Sequence, residues 1–234
     1  MSVKIGDVRE LTFTINGKEM NQTRTIHSID YYKQNQLYKS ENETRIILFE
    51  YHPNKKLKKT TFKDLKGTIT GENFFDEHSR LIYSKDENSV NTYENTYDSE
   101  NRIVKSIKKA EDGTTEKETF YEYGPNGKDY VQKELKDGEL VVISEHIFNE
   151  NGKRNYIKRD NKETFLEYGA EGRHKSLTEK TNGKETLVQN FSYSDDGHFF
   201  INDVLDHGKT NQIIVEDIFD ENGQKIMSLT YWTA

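Results

Sequence analysis

The sequence predicts an all-β protein: one array of antiparallel β-hairpin repeats with a period of about 24 residues, running as an open or curled meander rather than a compact globule. Three observations carry that expectation. First, an aromatic residue followed four positions later by glycine and then by a basic or polar residue keeps returning. Phe148-Asn149-Glu150-Asn151-Gly152-Lys153 is repeated nearly letter for letter by Phe219-Asp220-Glu221-Asn222-Gly223-Gln224, and Tyr123 with Gly127, Tyr168 with Gly172 and Tyr193 with Gly197 keep the same offset. Second, the anchors Tyr51, Phe75, Tyr97, Tyr123, Phe148, Tyr168, Tyr193 and Phe219 are spaced by 24, 22, 26, 25, 20, 25 and 26 residues, a mean of 24. Third, no stretch carries apolar residues at helical spacing over three or more turns.

Upstream the glycine decays but the frame persists. Tyr31 with Asn35-Gln36-Leu37, Tyr51 with Lys55-Lys56-Leu57, Phe75 with Ser79-Arg80-Leu81 and Tyr97 with Asn101-Arg102-Ile103 keep a turn residue, and three of the four then place a basic residue before an aliphatic one. Phe13 with Gly17-Lys18 reads as a first copy. Asn54 to Lys66, rich in lysine, reads as a solvated strand face blunting an edge. The unit from Ile103 to Tyr123 shows the internal logic most fully. Ile103 to Ile107 is a β-propensity run, Asp112-Gly113 a hairpin turn, and Thr119 to Tyr123 an alternating return strand. The next unit turns at Asp137-Gly138 and continues through Leu140-Val141-Val142-Ile143; Asn182-Gly183 and His207-Gly208 follow at the same phase. Two turns per period mean two strands per period. Trp232, beside Tyr231, fits a cap over the last repeat. Two prolines and no Gly/Ser-rich block leave no linker, so residues 1–234 read as a single repeat domain, clearest from 31 to 226.

Composition bounds the chemistry. The chain is 32% hydrophobic and 12% aromatic, so tyrosine and phenylalanine must supply much of what is buried. A formal net charge of −7 makes nucleic acid a poor partner and favours a basic one. The absence of cysteine excludes disulfides, thiolate catalysis and cysteine-based zinc sites. No apolar run has the form of a signal peptide or the length of a membrane span, and the expectation is a cytosolic protein without a membrane partner.

No catalytic constellation, metal site or cofactor is expected. The seven histidines lie in different periods without ligand-type spacing, there is no Gly-x-Ser-x-Gly elbow, and the glycines sit singly at turn phase rather than in a phosphate loop. Carboxylate pairs such as Asp195-Asp196 and Asp220-Glu221 occupy turns, where solvated acids and Asx turns are normal.

An aromatic-acidic-x-x-Gly-basic-aliphatic stretch, a short strand, an Asp-Gly turn and a return through Tyr-x-Tyr resembles the YD repeat of Rhs-type proteins, from Tyr31 onward. Phe75-Asp76, Tyr97-Asp98 and Phe219-Asp220 keep the aromatic-Asp pair; Phe148-Asn149, Tyr193-Ser194, Tyr123-Gly124 and Tyr168-Gly169 depart from it. The chain is also similar to bacterial antitoxins built from MORN-like hairpins. The second resemblance implies a non-catalytic immunity protein or antitoxin that binds a basic toxin domain encoded nearby; the first implies a structural shell fragment as the alternative, and the tyrosine content admits a glycan-binding β-protein. Stacked hairpins would align Asp76, Asp98, Glu150, Glu171, Asp195, Asp196, Asp220 and Glu221 as an acidic ridge for that partner, with Tyr97, Tyr123, Tyr168 and Tyr193 as aromatic anchors.

If the turn glycines hold a left-handed backbone, Gly152→Val and Gly223→Val will each cost about 1–3 kcal/mol of stability, beyond the effect of a surface substitution. Urea denaturation of the two variants checks this, and unchanged midpoints would remove the left-handed turns from the reading.

Overall fold

The computed structural model describes residues 3–232, and among them there is no helix. Nineteen strands follow one another: β1 (Val8–Ile15), β2 (Lys18–Lys33), β3 (Gln36–Asn42), β4 (Ile46–Tyr51), β5 (Leu57–Lys63), β6 (Ile69–Phe75), β7 (Leu81–Asp86), β8 (Val90–Tyr97), β9 (Ile103–Ala110), β10 (Thr115–Tyr123), β11 (Tyr130–Lys136), β12 (Glu139–Phe148), β13 (Arg154–Arg159), β14 (Lys162–Tyr168), β15 (His174–Thr181), β16 (Lys184–Tyr193), β17 (Phe199–Asp206), β18 (Lys209–Phe219) and β19 (Lys225–Trp232). The predicted strand-turn-strand periods are therefore present. Gly152 and Gly223 hold φ of +73° and +71°, and where glycine is missing at that phase Ser79 and Asn101 adopt φ of 62° and 60°. The frame survives without glycine because one left-handed residue suffices, and short polar side chains tolerate it.

Contacts divide the chain into two units, one combining the chain up to Glu72 with the chain from Gln189, the other running Asn73–Val188. In the second unit consecutive strands from β7 to β15 carry the antiparallel ladder, as in β8 on β9, β11 on β12 and β14 on β15. In the first unit β17, β18 and β19 pair in sequence, and so do β2, β3, β4 and β5.

The decisive pairing joins these two runs. β19 lies antiparallel to β2, with Leu229 opposite Ile29 and Tyr231 opposite Ile26. All strands belong to one sheet, and the first and last members of the array are neighbours. The strand order is the closed one of an 18-strand antiparallel β-barrel, which overturns the open or curled meander. Period-two alternation dictates which side chains share a face, but a pairing between residues about two hundred positions apart leaves no local trace.

β1 is the strand outside the repeat. It pairs with the first half of β2 through a two-residue turn at Asn16-Gly17, so Phe13 begins no repeat. It serves the core instead: Leu11 and Phe13 are buried with Ile26, Ile29, Phe199, Ile201, Ile214, Leu229 and Tyr231, and the Phe13 ring stacks on Phe199 at 4.9 Å. Polar contacts pin the same hairpin. Asp195 accepts the backbone N–H groups of Asn16 and Gly17 at 2.8 and 2.9 Å, and Arg9 donates to Glu216 at 2.7 Å and to the Tyr231 hydroxyl at 3.1 Å. Trp232 is not the expected cap, since β19 is covered by its pairing with β2; its side chain is half exposed and inclined against His27.

Every fully buried large apolar side chain among the described residues lies in this first unit. Phe13→Ala will therefore cost about 3–5 kcal/mol, whereas Leu65→Ala, at an exposed side chain, will stay within about 0.5 kcal/mol. Urea midpoints of the two variants provide the comparison.

Candidate functional site

The repeat motif builds the same device at successive turns. Asp76 accepts the backbone N–H groups of His78 and Arg80 at 2.9 and 3.0 Å and takes Arg80 Nε at 2.6 Å. Asp98 does the same with Glu100 and Arg102. Each guanidinium then covers the anchor tyrosine of the next repeat, Arg80 over Tyr97 at 3.8 Å and Arg102 over Tyr123 at 4.5 Å, and Lys153 over Tyr168 at 5.2 Å continues the pattern. It also reaches the next turn: Arg80 donates to Asn101 Oδ1, Arg102 to the Gly127 carbonyl, Lys128 to the Glu150 carbonyl and Lys153 to the Gly172 carbonyl. The basic residue of the motif is thus the link between repeats. Each exposed cation–π contact contributes about 0.5–1 kcal/mol.

This device engages much of the predicted ridge. Burial opposes ionisation of Asp76, but the N–H groups of Arg80 and His78 and the guanidinium outweigh it and hold the carboxyl below its usual range; the Arg102 N–H leads the same effect at Asp98. Asp196 accepts from the Ser194 hydroxyl and the His198 N–H, Asp220 from the N–H groups of Asn222 and Gln224, and Asp195 holds the β1–β2 turn. Glu150, Glu171 and Glu221 remain exposed, Glu171 beside Arg173 at 3.4 Å. Tyr97, Tyr123 and Tyr168 are half-buried beneath their cations, with the hydroxyls of Tyr123 and Tyr168 donating to the carbonyls of Ile103 and Arg154; Tyr193 packs on Phe200 at 5.3 Å.

One polar cluster escaped the sequence reading. Ser144 and His146, two apart on β12 and both buried, sit with Ser144 Oγ 2.9 Å from His146 Nε2 and 2.5 Å from Gln132 Oε1, while Tyr130 stacks on the imidazole at 4.4 Å. Serine beside histidine is the start of a nucleophile and base, but His146 Nδ1 is buried without a hydrogen-bond partner where a triad needs an orienting carboxylate. Among the described residues no group of three or more His, Asp or Glu is placed to hold a metal. A hollow of about 290 Å³ is lined by His27, Ser28, Asn42, Glu43, Thr44 and Trp232, with His27 Nδ1 3.3 Å from Glu43 Oε1.

The second unit has an apolar face. Leu135 and Leu140 are directly opposite each other, and Val142 follows Leu140 on the same face. A bulge at Ile143 lets that face continue to Ile147, whose row crosses to Tyr156 on β13 and Phe165 on β14. All except Tyr156 are exposed, and the rings of Tyr156 and Phe165 lie 5.1 Å apart.

No protein-family model and no curated protein matches the sequence. Among solved structures the chain is similar to the crystal structure of TcdB2-TccC3-TEV, at 12% identity and a TM-score of 0.36 over 92% of this chain. It is also similar to a porin-like protein from Bacteroides uniformis, at 10% identity and a TM-score of 0.32 over 96% of this chain. The chain spans 14% of the length of the first and 95% of the second. At those identities and TM-scores neither similarity bears on what this chain does.

Burial, and then the positive charges of Arg154 and Arg159, depress the His146 pKa to about 4. The unfolded chain takes up this proton near pH 6.5, the folded chain only near pH 4, so stability falls as pH falls through that window. Between pH 7 and pH 5 the loss will be on the order of 2 kcal/mol. Urea midpoints at the two pH values measure it, and His146→Gln will remove most of the difference.

Proposed function

We propose that the chain is a non-catalytic protein-binding module that neutralises a bacterial toxin domain in the cytosol, and that it binds through the apolar face of β11–β14. The carrying observation is a concentration of exposed apolar side chains. Five of the fifteen large hydrophobic residues exposed among the described residues lie on this one face: Leu135, Leu140, Val142, Ile147 and Phe165. A concentration of exposed apolar side chains on one face costs solubility unless a partner covers it.

The acidic balance supports a basic partner, and the exposed Glu150, Glu171 and Glu221 are the members of the acidic set left to attract one at a distance. The choice of a toxin rests on the resemblance of the repeats to antitoxin hairpins. A partner met in water is favoured over lipid because partly exposed positions on the face opposite the buried Asn91 and Thr119 carry ion pairs, Lys105 with Glu118 and Lys133 with Glu122. A lipid-facing barrel surface needs an unbroken apolar band instead.

The test is growth rescue from the toxin domain encoded beside this chain. Co-expression of the wild-type chain will restore colony formation, and Leu140→Lys combined with Val142→Lys will lower rescue at least tenfold while leaving the circular dichroism spectrum unchanged. Absence of rescue by the wild-type chain would overturn the neutralising role. Full rescue by the double variant would move the contact off this face.

A further inference from the structure

We propose that β12 takes an extended segment of the protein partner as an added antiparallel strand along its open edge, Glu139–Ile143, and that this segment alternates aliphatic with basic residues. The inference rests on the protein-binding reading above and adds how the partner is held.

The edge is open because neighbouring hairpins differ in length. β12 runs back to the turn at Asp137-Gly138, but its pairing with β13 begins only at Glu145 opposite Lys158, and β13 ends at the turn Asp160-Asn161. Among the described residues no strand pairs with the far side of Glu139–Ile143. Backbone direction follows from the turn. A two-residue hairpin with positive φ at Asp137 and Gly138 makes Lys136 and Glu139 the hydrogen-bonded pair, so Glu134 and Val141 exchange hydrogen bonds next. The N–H and C=O groups of Leu140 and Val142 therefore point away from β11, toward the open side. Extended backbone with unpaired groups is a template for another strand, and edges are normally blunted by lysine or proline. Leu140-Val141-Val142-Ile143 has neither and is the longest uncharged aliphatic run of the hairpin.

The surroundings describe the occupant. A hollow of about 240 Å³, lined by Val142, Ile143, Ser144, Glu145, Lys158 and Asp160, lies where β13 stops and an incoming strand would continue the sheet. On one face a new strand would meet Leu140 and Val142, which call for aliphatic residues at alternate positions. On the other it would meet Val141 and Glu139. Glu139 lies on the second face and Asp137 and Asp160 close the two flanking turns; none of the three makes an ion pair among the described residues, so basic residues suit the second face. A second copy fits less well, because antiparallel self-pairing brings the acidic turn of each copy toward Glu145 and Asp160 of the other. Main-chain hydrogen bonds supply affinity in such strand addition and alternate side chains supply selectivity.

The probe is a capped nine-residue peptide alternating valine with lysine, compared with its valine–glutamate counterpart. In the free protein the amides of Leu140 and Val142 will exchange with deuterium at least a hundredfold faster than that of Val141; equal protection would mean that the edge is not open. The lysine peptide will bind at least tenfold tighter than the glutamate peptide and slow exchange at Leu140 and Val142 at least tenfold. Val142→Pro, which lacks the outward N–H, will weaken peptide binding at least tenfold with an unchanged circular dichroism spectrum, and Leu140→Glu serves as a second variant with the backbone donor intact. Peptide binding that ignores both substitutions, or leaves those amides unprotected, would overturn strand addition. So would a concentration-dependent dimer protecting the same amides, which would make another copy the occupant. Loss of toxin rescue by the wild-type chain with the peptide result intact would sink the neutralising role alone.

Discussion

The fold depends on the backbone ladder between β2 and β19. A hairpin array assembled in sequence has a first and a last strand, each with a row of unpaired donors and acceptors, and pairing the two removes both liabilities at once. Such a joint closes a loop of about two hundred residues, and its entropic cost has to be met where the strands meet. The buried apolar side chains gather there: Ile26 and Ile29 on β2, Leu229 and Tyr231 on β19, with Leu11 and Phe13 laid against them from β1. Each fully buried large side chain contributes about 1.5–3 kcal/mol. Tyr231 also brings a hydroxyl to Glu216 and Arg9, so the seam contains a paired charge as well as apolar area.

The second unit works by other means. Its buried residues, among those described, are Asn91, Thr119, Ser144 and His146, all polar. Cohesion comes from the strand ladder, from half-buried aromatics and from the link in which an acid closes a turn, positions the following cation and sends it over the next tyrosine. A chain of low hydrophobicity can be ordered this way because each contact is local to one turn and its neighbour, so the ordering entropy is met one repeat at a time.

This division explains what could be read from the sequence. The turns at Gly152 and Asn101, the strands between them and the near absence of helix follow from residue types and spacing, because they are decided within a few positions. Closure was invisible since Leu229 and Ile29 look like any other aliphatic residues in alternating strands. The acidic positions were legible, but their work was not: an aspartate followed four residues later by arginine reads as a mixed surface pair, and only the turn geometry shows the carboxylate facing its own backbone. Ser144 and His146 were hidden for another reason. The bulge at Ile143 shifts the alternation, and β12 must be aligned with β11 before Gln132 is seen to face them.

The same bulge gives the open edge of β12 its meaning. Without it, Val142 and Ile147 would lie on opposite faces, and the apolar tip would be separate from the row that continues to Tyr156 and Phe165. With it, one face carries Leu140, Val142, Ile147 and Phe165, while the reverse carries the buried serine and histidine that anchor the strand. β12 is thus paired on both sides from Glu145 onward and on one side only over Glu139–Ile143, which is the arrangement a strand-accepting edge requires: a backbone held by one neighbour whose outward groups have no partner of their own. The β11–β12 hairpin outruns its neighbour β13 and carries the largest group of exposed aliphatics. Its irregularity and its surface chemistry point to the same stretch of chain.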